Sequence, residues 1–501
     1  MASVEITPLA NEKGDIPVSA AGNPGEWKPS AIAADIATLG TGTLVAGLFN
    51  VAVVFIVPRL VSVEDYGYWR LFGLYAACVG FLHLGFADGA LLGWAGRSFE
   101  EIHHEIRPAV KFLFWQHVVV LAPITLVVVL LLPGPLRFVG VSVALYAPLY
   151  NLTALLQFSL QGARVFRPVA ISTVAAPILF CLGVILWGAQ AHWSCTYQEI
   201  VSLFVLTWCA PMAFLLVWTN PWKFANGRVG EKGLAKRFLR TGWPIVMANT
   251  GMNLIQYADR LALSWSATIQ NFAQYSLAAS AMAVPITAIQ ACSKVFFSHL
   301  ASLTEGGRRR IYSSALRAVL MVWVFILPFY FLLELVIARF LPKYTPSLEY
   351  ARILLLGIPF VAAIQILQTS YAYLNGMQKR FLVRTIVVLA IALGLSSVVV
   401  SVAGSLRAVA ILQVAILGLW WLFNELTLQT LTAQRMTDWW KFFLVYALAA
   451  SSYWLTSRPG IRPEAAVGIY YLSAGIIAGL GCRDELKFFF ELLTGSRARM
   501  G

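Results

Sequence analysis

The sequence predicts an all-α polytopic membrane protein, on three observations. Only 12% of the 501 residues are charged and 59% are hydrophobic, whereas about 25% of residues are charged in an average soluble domain. Repeated apolar runs each reach the roughly 20 residues that a helix needs to cross a bilayer. The alternating ten-residue segments of a transmembrane barrel do not occur. Most of this chain therefore belongs in lipid.

Fourteen apolar runs follow one another along the chain. The predicted membrane spans are 36–57, 70–95, 110–132, 138–160, 168–189, 200–219, 244–266, 272–296, 312–333, 350–374, 381–403, 407–427, 439–456 and 464–482. The strongly basic segment 221–243 separates the first six spans from the next six. Two further spans complete the chain.

The distribution of basic residues predicts the orientation. Of the 37 Lys and Arg residues, 27 lie on the side of the N-terminus and 10 on the other side. Because cytoplasmic loops carry an excess of Lys and Arg, both termini are expected in the cytoplasm. The net charge of +14 then reflects topology, and we expect no nucleic-acid partner.

These features divide the chain into five parts. We predict a disordered cytoplasmic tail at 1–35, an N-lobe of six spans at 36–220, a basic amphipathic cytoplasmic linker at 221–243, a C-lobe of six spans at 244–427, and the last two spans with a cytoplasmic tail at 428–501. The six cysteines include no CxxC pair, so neither a disulfide framework nor a metal site is indicated.

Short matches between the two halves indicate an internal repeat. QGARVFRPVAISTV (161–174) resembles NGMQKRFLVRTIVV (375–388), and EDYGYWRLFGLYAA (64–77) resembles FAQYSLAASAMA (272–283). The offsets between the paired segments are similar. Repeated halves with a site between them are a recurrent transporter architecture, so two pseudo-repeated six-helix lobes are expected.

Two motifs resemble a known family. PRLVSVEDYGYWRLF followed by HLGFADGALL (83–92) resembles the N-terminal signature of polysaccharide flippases, and QYADRLALSWSATIQNFAQYSLA (256–278) resembles their second-lobe Asp-Arg. The family is the Wzx-type polysaccharide branch of the multidrug/oligosaccharidyl-lipid/polysaccharide exporter superfamily. The resemblance implies a V-shaped pair of lobes around a central cavity. Its implied cargo is an oligosaccharide repeat unit on polyprenyl pyrophosphate, flipped outward for exopolysaccharide, O-antigen or capsule synthesis, with a polymerase and export machinery as further partners.

A pyrophosphate that crosses the membrane needs cationic partners, and guanidinium groups suit it because they donate paired hydrogen bonds. Arg59 and Arg70 bracket a predicted turn at Glu64–Gly67, where Gly67 is expected to permit the tight turn. They are candidates for an outward cationic gate. Snorkelling of the two side chains to the interface, among belt aromatics, is the alternative.

Further ionisable residues fall inside or near apolar runs, where such groups are functional candidates. Asp88 is a candidate for pairing or ion exchange, with a helix-end acid as the alternative, and His83 is expected on a different face. Asp259 and Arg260 point about 100° apart, so each is expected to meet another helix or the cavity rather than the other. Lys294 is a cavity candidate, or a lysine at the cytoplasmic interface.

Competing functions stay open. A drug/cation antiporter of the same superfamily would need acids without a surplus of intramembrane arginine. A membrane polymerase or acyltransferase would need a catalytic cluster, usually in a sizeable external loop, and none stands out. We therefore expect a transporter, not an enzyme, without a cofactor. Because no P-loop motif occurs, coupling to H+ or Na+ through Asp88 or Asp259 is the hypothesis for any energy input.

Overall fold

The fold is entirely helical, as predicted. A computed structural model describes residues 29–223, 231–301, 305–432, 439–458, 461 and 463–481, and these contain no β-strand. Residues 1–28 of the predicted tail, residues 224–230 of the predicted linker and the C-terminal residues 482–501 lie outside the described residues.

Nineteen α-helices are described, with short 3-10 and π segments between some of them. The first eight are α1 (Pro29–Leu60), α2 (Val63–Ala76), α3 (Phe86–Trp94), α4 (Phe99–Leu131), α5 (Gly134–Gly162), α6 (Phe166–Gln190), α7 (Tyr197–Thr207) and α8 (Cys209–Thr219). The others are α9 (Glu231–Ser266), α10 (Ile269–Ala301), α11 (Glu305–Ile326), α12 (Phe329–Phe340), α13 (Ser347–Leu354), α14 (Ile358–Ala362), α15 (Thr369–Leu374), α16 (Gln378–Ala403), α17 (Leu406–Thr432), α18 (Trp439–Thr456) and α19 (Pro463–Gly481).

The helices make this a multi-pass membrane protein. Among the described residues, nine helical segments are long and apolar enough to cross a membrane, or ten if the bent pair that ends in α3 is one span. Every predicted run overlaps one or more helices, and the total of fourteen spans stays a prediction. α9 is not among the nine, because amides, Asp259 and Arg260 interrupt its apolar sequence.

Helix packing is similar in the two sequence halves. α1 lies along α6 and α9 lies along α16, and these are the two most extensive helix pairs in the described structure. The two pairs stand at corresponding places in the proposed repeat, and the division into two lobes stays a prediction. Buried apolar side chains from both halves form one large continuous core.

The predicted turn at Glu64–Gly67 is wrong, because these residues begin a helix. The chain turns earlier, at Val61–Ser62, and the Ser62 hydroxyl accepts a hydrogen bond from the Asp65 backbone N–H at 3.0 Å. Serine is a favoured N-cap, and acidic residues in a first turn are stabilised by the helix dipole. Gly67 instead permits close packing, since a Cβ atom there would lie 2.5 Å from the Ile269 carbonyl oxygen.

The second predicted span, 70–95, is broken rather than continuous. A 3-10 segment, Val79–His83, follows α2, and Leu84 and Gly85 then take left-handed conformations with φ of 52° and 82°. The two parts of the span differ in direction by 55°. Two successive left-handed residues cannot continue a right-handed helix, so α3 starts afresh at Phe86.

Two predicted boundaries also change. α1 begins at Pro29, so residues 29–35 are helical rather than part of a disordered tail. α9 is one helix from Glu231 to Ser266, so the second half of the predicted linker is continuous with the seventh span. The helix continues through Pro244, so the basic residues 231–243 and the apolar run after them form a single helix.

Candidate functional site

A polar cavity of about 290 Å³ lies between α2 and the helices of the second half. Its wall on the side of α2 is formed by Arg70, Gly73, Leu74 and Ala77. These positions follow the i, i+3, i+4, i+7 spacing of a single helix face. Its opposite wall comes mainly from α9 and α10. Three charged side chains line the cavity: Arg70 from α2, and Asp259 and Arg260 from α9.

Asp259 is held by hydrogen bonds and is only 2% exposed. The Tyr275 hydroxyl of α10 donates to Asp259 Oδ2 at 2.7 Å, and the Arg260 backbone N–H donates to Oδ1 at 2.7 Å. The expectation that Asp259 and Arg260 do not meet is wrong, because the Arg260 Nε lies 3.8 Å from Asp259 Oδ1. Asp259 therefore orients and partly balances the neighbouring guanidinium group.

Arg260 is further fixed by its own helix. Its Nη2 donates to the Gln256 carbonyl oxygen at 3.3 Å, and its guanidinium carbon lies 4.5 Å from the centre of the Tyr257 ring. A guanidinium group over an aromatic face gains cation–π attraction. These contacts leave the group on the cavity wall with a defined orientation.

Arg70 faces Arg260 from the other half of the chain. Both side chains line the cavity, and each has a buried Nε that finds no hydrogen-bond partner within the described residues. Buried polar groups are nearly always paired, and guanidinium donors suit an anionic oxygen. Both guanidinium groups line the cavity and are suited to donate hydrogen bonds to an anion that enters it.

The remaining predicted site residues lie elsewhere. Arg59 is exposed at the end of α1 and does not line the cavity. Lys294 lies in α10, and its side chain is outside what the structure describes. Asp88 lies in the first turn of α3, with Oδ2 3.6 Å from His83 Nε2. The break before α3 brings His83 and Asp88 together, so their expected separation onto different faces is wrong.

Comparison with known proteins finds a family model that matches part of the chain and several solved structures of similar fold. A family model described as "Polysaccharide biosynthesis protein" matches residues 131–343. No curated protein sequence matches the chain. A solved structure of the lipid II flippase MurJ in an inward closed conformation aligns with a TM-score of 0.67, at 12% identity, over 91% of this chain and 100% of that chain. The chain has the fold of the MOP superfamily transporters.

Two further MOP superfamily structures show the same similarity. An inward-facing multidrug resistance MATE family transporter aligns with a TM-score of 0.57, at 13% identity, over 84% of this chain and 96% of that one. Its outward-facing counterpart aligns with a TM-score of 0.54, at 13% identity, over 80% and 96%. At these identities the likeness establishes the MOP fold alone.

Within this MOP fold, sequence reasoning missed Gln413 of α17. Its Nε2 donates to the Ile255 carbonyl oxygen at 3.0 Å, and its Oε1 is buried without a partner in the described part of the chain. Gln413 lines the cavity with Asn253 and Gln256. A lone amide inside the apolar run LRAVAILQVAILGLW was the available signal.

We expect Tyr275→Phe to lower stability by about 1–3 kcal/mol, because the buried Asp259 carboxylate loses a hydrogen-bond donor. Thermal unfolding of the detergent-purified protein measures this change. Tyr350→Phe is the matched control, since its ring neighbours that of Tyr275 at 5.8 Å but its hydroxyl makes no hydrogen bond to Asp259. Equal melting temperatures for the two variants would contradict the assigned role of Tyr275.

Proposed function

We propose that the protein is a flippase. It moves a polyprenyl-pyrophosphate-linked oligosaccharide repeat unit from the cytoplasmic to the outer face of a bacterial inner membrane, for exopolysaccharide, O-antigen or capsule synthesis. The observation that carries this proposal is the placement of Arg70 and Arg260, from opposite halves of the chain, on one polar cavity. An arginine at the centre of a membrane helix costs about 2.5–3.5 kcal/mol on insertion scales, so two in one cavity require a compensating role.

The charged and polar side chains that line the cavity suit a charged headgroup better than a hydrophobic polyprenyl tail. Two guanidinium groups can take the pyrophosphate, while amides such as Asn253, Gln256 and Gln413 can bind sugar hydroxyls. The polyprenyl chain remains in lipid throughout. The match to a polysaccharide biosynthesis family supports the same class of cargo, and transport rather than catalysis is the proposed activity.

The cavity is too small for a whole repeat unit in this conformation. Pockets for drug-sized ligands measure about 300–1,000 Å³, and this one measures about 290 Å³. An oligosaccharide therefore requires the two halves to separate. Alternating access, in which the halves open to one side at a time, provides that space.

The second candidate is a drug/cation antiporter, since MATE transporters share the fold. One acid, Asp259, lines the cavity and would serve a cationic drug. However, its two oxygens already accept hydrogen bonds from Tyr275 and the Arg260 backbone, and two arginines accompany it. The electrostatics favour an anionic cargo.

Reconstitution tests the function directly. Proteoliposomes that contain the purified protein are loaded with a fluorescent polyprenyl-pyrophosphate oligosaccharide, and an impermeant quencher reports its transfer between leaflets. Transfer well above that of protein-free liposomes supports the flippase. Transport of a cationic dye instead of the lipid-linked sugar would favour the antiporter. In cells, deletion of the gene should accumulate lipid-linked repeat units on the cytoplasmic leaflet.

The membrane potential supplies part of the driving force. Moving two negative charges outward, with an inside-negative potential, gains about 4–5 kcal/mol per 100 mV. Coupling to H+ or Na+ would add to it. The His83–Asp88 pair is the best-placed site for a proton, because the Gly85 N–H donates to His83 Nδ1 at 3.0 Å and leaves Nε2 directed at Asp88.

We expect Asp88→Asn to remove the dependence of flipping on a pH gradient, because the amide cannot exchange a proton, while potential-driven flipping persists. Initial flipping rates in proteoliposomes, with and without an imposed pH gradient at fixed potential, measure this. Glu64→Gln, an exposed acid in the first turn of α2, is the control. Equal stimulation of Asp88→Asn and the unmodified protein by the pH gradient would rule out coupling through this residue.

A further inference from the structure

Residues 67–93 and residues 238–269 face each other across the cavity, and they come together at three levels. At the outer level, Gly67 packs against Ile269. At the middle level, Arg70–Ala77 and Asn253–Arg260 line the cavity. Below the cavity, α3 packs along the first turns of α9. The contacts occur in the same spatial order along both segments, so the cavity lies between an outer and an inner contact.

The inner contact is made largely of backbone, and we call it the inner seam: Gly85, Gly89 and Gly93 against Phe238 and Gly242. A Cβ atom on Gly242 would overlap the Gly85 carbonyl oxygen, and one on Gly89 would overlap that of Phe238. Only glycine therefore permits this approach. Phe238 is fully buried, and its ring packs edge-on against Phe86 at 5.6 Å and Trp94 at 5.4 Å.

An ion pair spans the same contact. Glu105 of α4 is buried and accepts hydrogen bonds from Trp94 Nε1 at 2.8 Å and Arg97 Nη1 at 3.0 Å. Arg237 of α9 brings its Nη2 to 3.6 Å from Glu105 Oε2. Glu105 thus joins α3 and α4 of the first half to the start of α9.

We propose that the inner seam is the cytoplasmic gate of the cavity and that the Glu105–Arg237 ion pair is the latch that holds it closed. The proposal rests on the proposed function only in taking the cavity as the place that cargo must reach. The gate is cytoplasmic because α9 begins at the basic linker, on the side with most Lys and Arg.

The partners of Glu105 make the latch reversible. When α9 moves away, Glu105 keeps the donors Trp94 and Arg97, so no buried carboxylate is left unpaired. The Arg237 side chain is already 55% exposed and regains water at little cost. The ion pair therefore biases the gate toward closure without locking it.

Accessibility of a cavity cysteine tests the latch. Gly73 lines the cavity, and a side chain there meets open space, so Gly73→Cys is introduced after the six native cysteines are replaced by alanine. Inside-out vesicles are then exposed to a membrane-impermeant maleimide. Loss of a half-exposed ion pair is expected to shift the ratio of open to closed gates by about 1.4- to five-fold. Labelling of Gly73→Cys should rise by that factor when Arg237→Ala is added, and further with Arg237→Glu.

Arg240→Ala is the matched control, because Arg240 is exposed on the same part of α9 and makes no ion pair with Glu105. It should leave labelling unchanged. Unchanged labelling with both Arg237 variants, an equal rise with Arg240→Ala, or a rise only in right-side-out cells would overturn the proposal. The assay contains no cargo, so a negative result rejects the latch and leaves the flippase proposal to its own test.

Discussion

Replacing both cavity arginines, Arg70→Ala with Arg260→Ala, is expected to reduce flipping of a pyrophosphate-linked sugar by at least about 100-fold. Each guanidinium group supplies a charge-assisted hydrogen bond worth roughly 1.5–3 kcal/mol, which is about a 10- to 150-fold change for each arginine. Both side chains line the same cavity, so one anionic group can contact both. Initial rates of flipping in proteoliposomes measure the loss.

Two further variants, Arg260→Lys and Arg59→Ala, make this test more specific. Arg260→Lys keeps the positive charge but loses the planar guanidinium group that donates paired hydrogen bonds. We therefore expect its flipping rate to lie between those of Arg260→Ala and the unmodified protein. Arg59→Ala removes an arginine of similar sequence context that is exposed and outside the cavity, and we expect a much smaller effect. If the double variant flips the lipid at the rate of Arg59→Ala, the cationic cavity is not the binding site.

Gly89→Ala is expected to destabilise the protein by about 1–3 kcal/mol or more, although alanine is the better helix former. The added methyl group would overlap the Phe238 carbonyl oxygen, and overpacking of a close contact typically costs that much. The overlapping atom belongs to the backbone, so no side chain can rotate away. Thermal unfolding in detergent measures the change.

Gly394→Ala is the control for this substitution. Gly394 also lies inside a helix, α16, but a Cβ atom there meets nothing within 4 Å. Its replacement should stabilise the protein by up to about 1 kcal/mol through helix propensity. If both variants shift the melting temperature in the same direction and by the same amount, the close approach of α3 to α9 is not present in solution.

The helices could be predicted because lipid leaves a simple signal in the sequence. Long apolar runs give the span positions, and polar residues within them, such as Asp259 and Arg260, stand out because burial of a charge in a membrane requires a reason. Both residues do line the cavity. The direction in which a residue faces is a weaker signal. Arg59 and Arg70 flank the same turn, yet only Arg70 reaches the cavity. The direction of each side chain depends on how its helix packs, which the local sequence does not specify.

Glycine was the least informative residue at the level of sequence. The sequence around Gly67 predicts a turn, and the glycine instead permits a close helix contact. Gly85 does serve a break, with φ of 82°, and that break brings His83 to Asp88. A glycine permits both positive φ and close approach, and tertiary structure decides between them. The same ambiguity applies to the inner seam, because the glycines of α3 and their contacts in α9 are about 150 positions apart in sequence.

A contact made of glycine backbone has an entropic consequence. Closing a surface that carries long side chains freezes their rotamers, at a cost of up to about 2 kcal/mol for each side chain. Gly85, Gly89 and Gly242 have no rotamers to lose when α3 meets α9. At these three positions the contact between α3 and α9 therefore forms without the entropic cost of freezing side-chain rotamers.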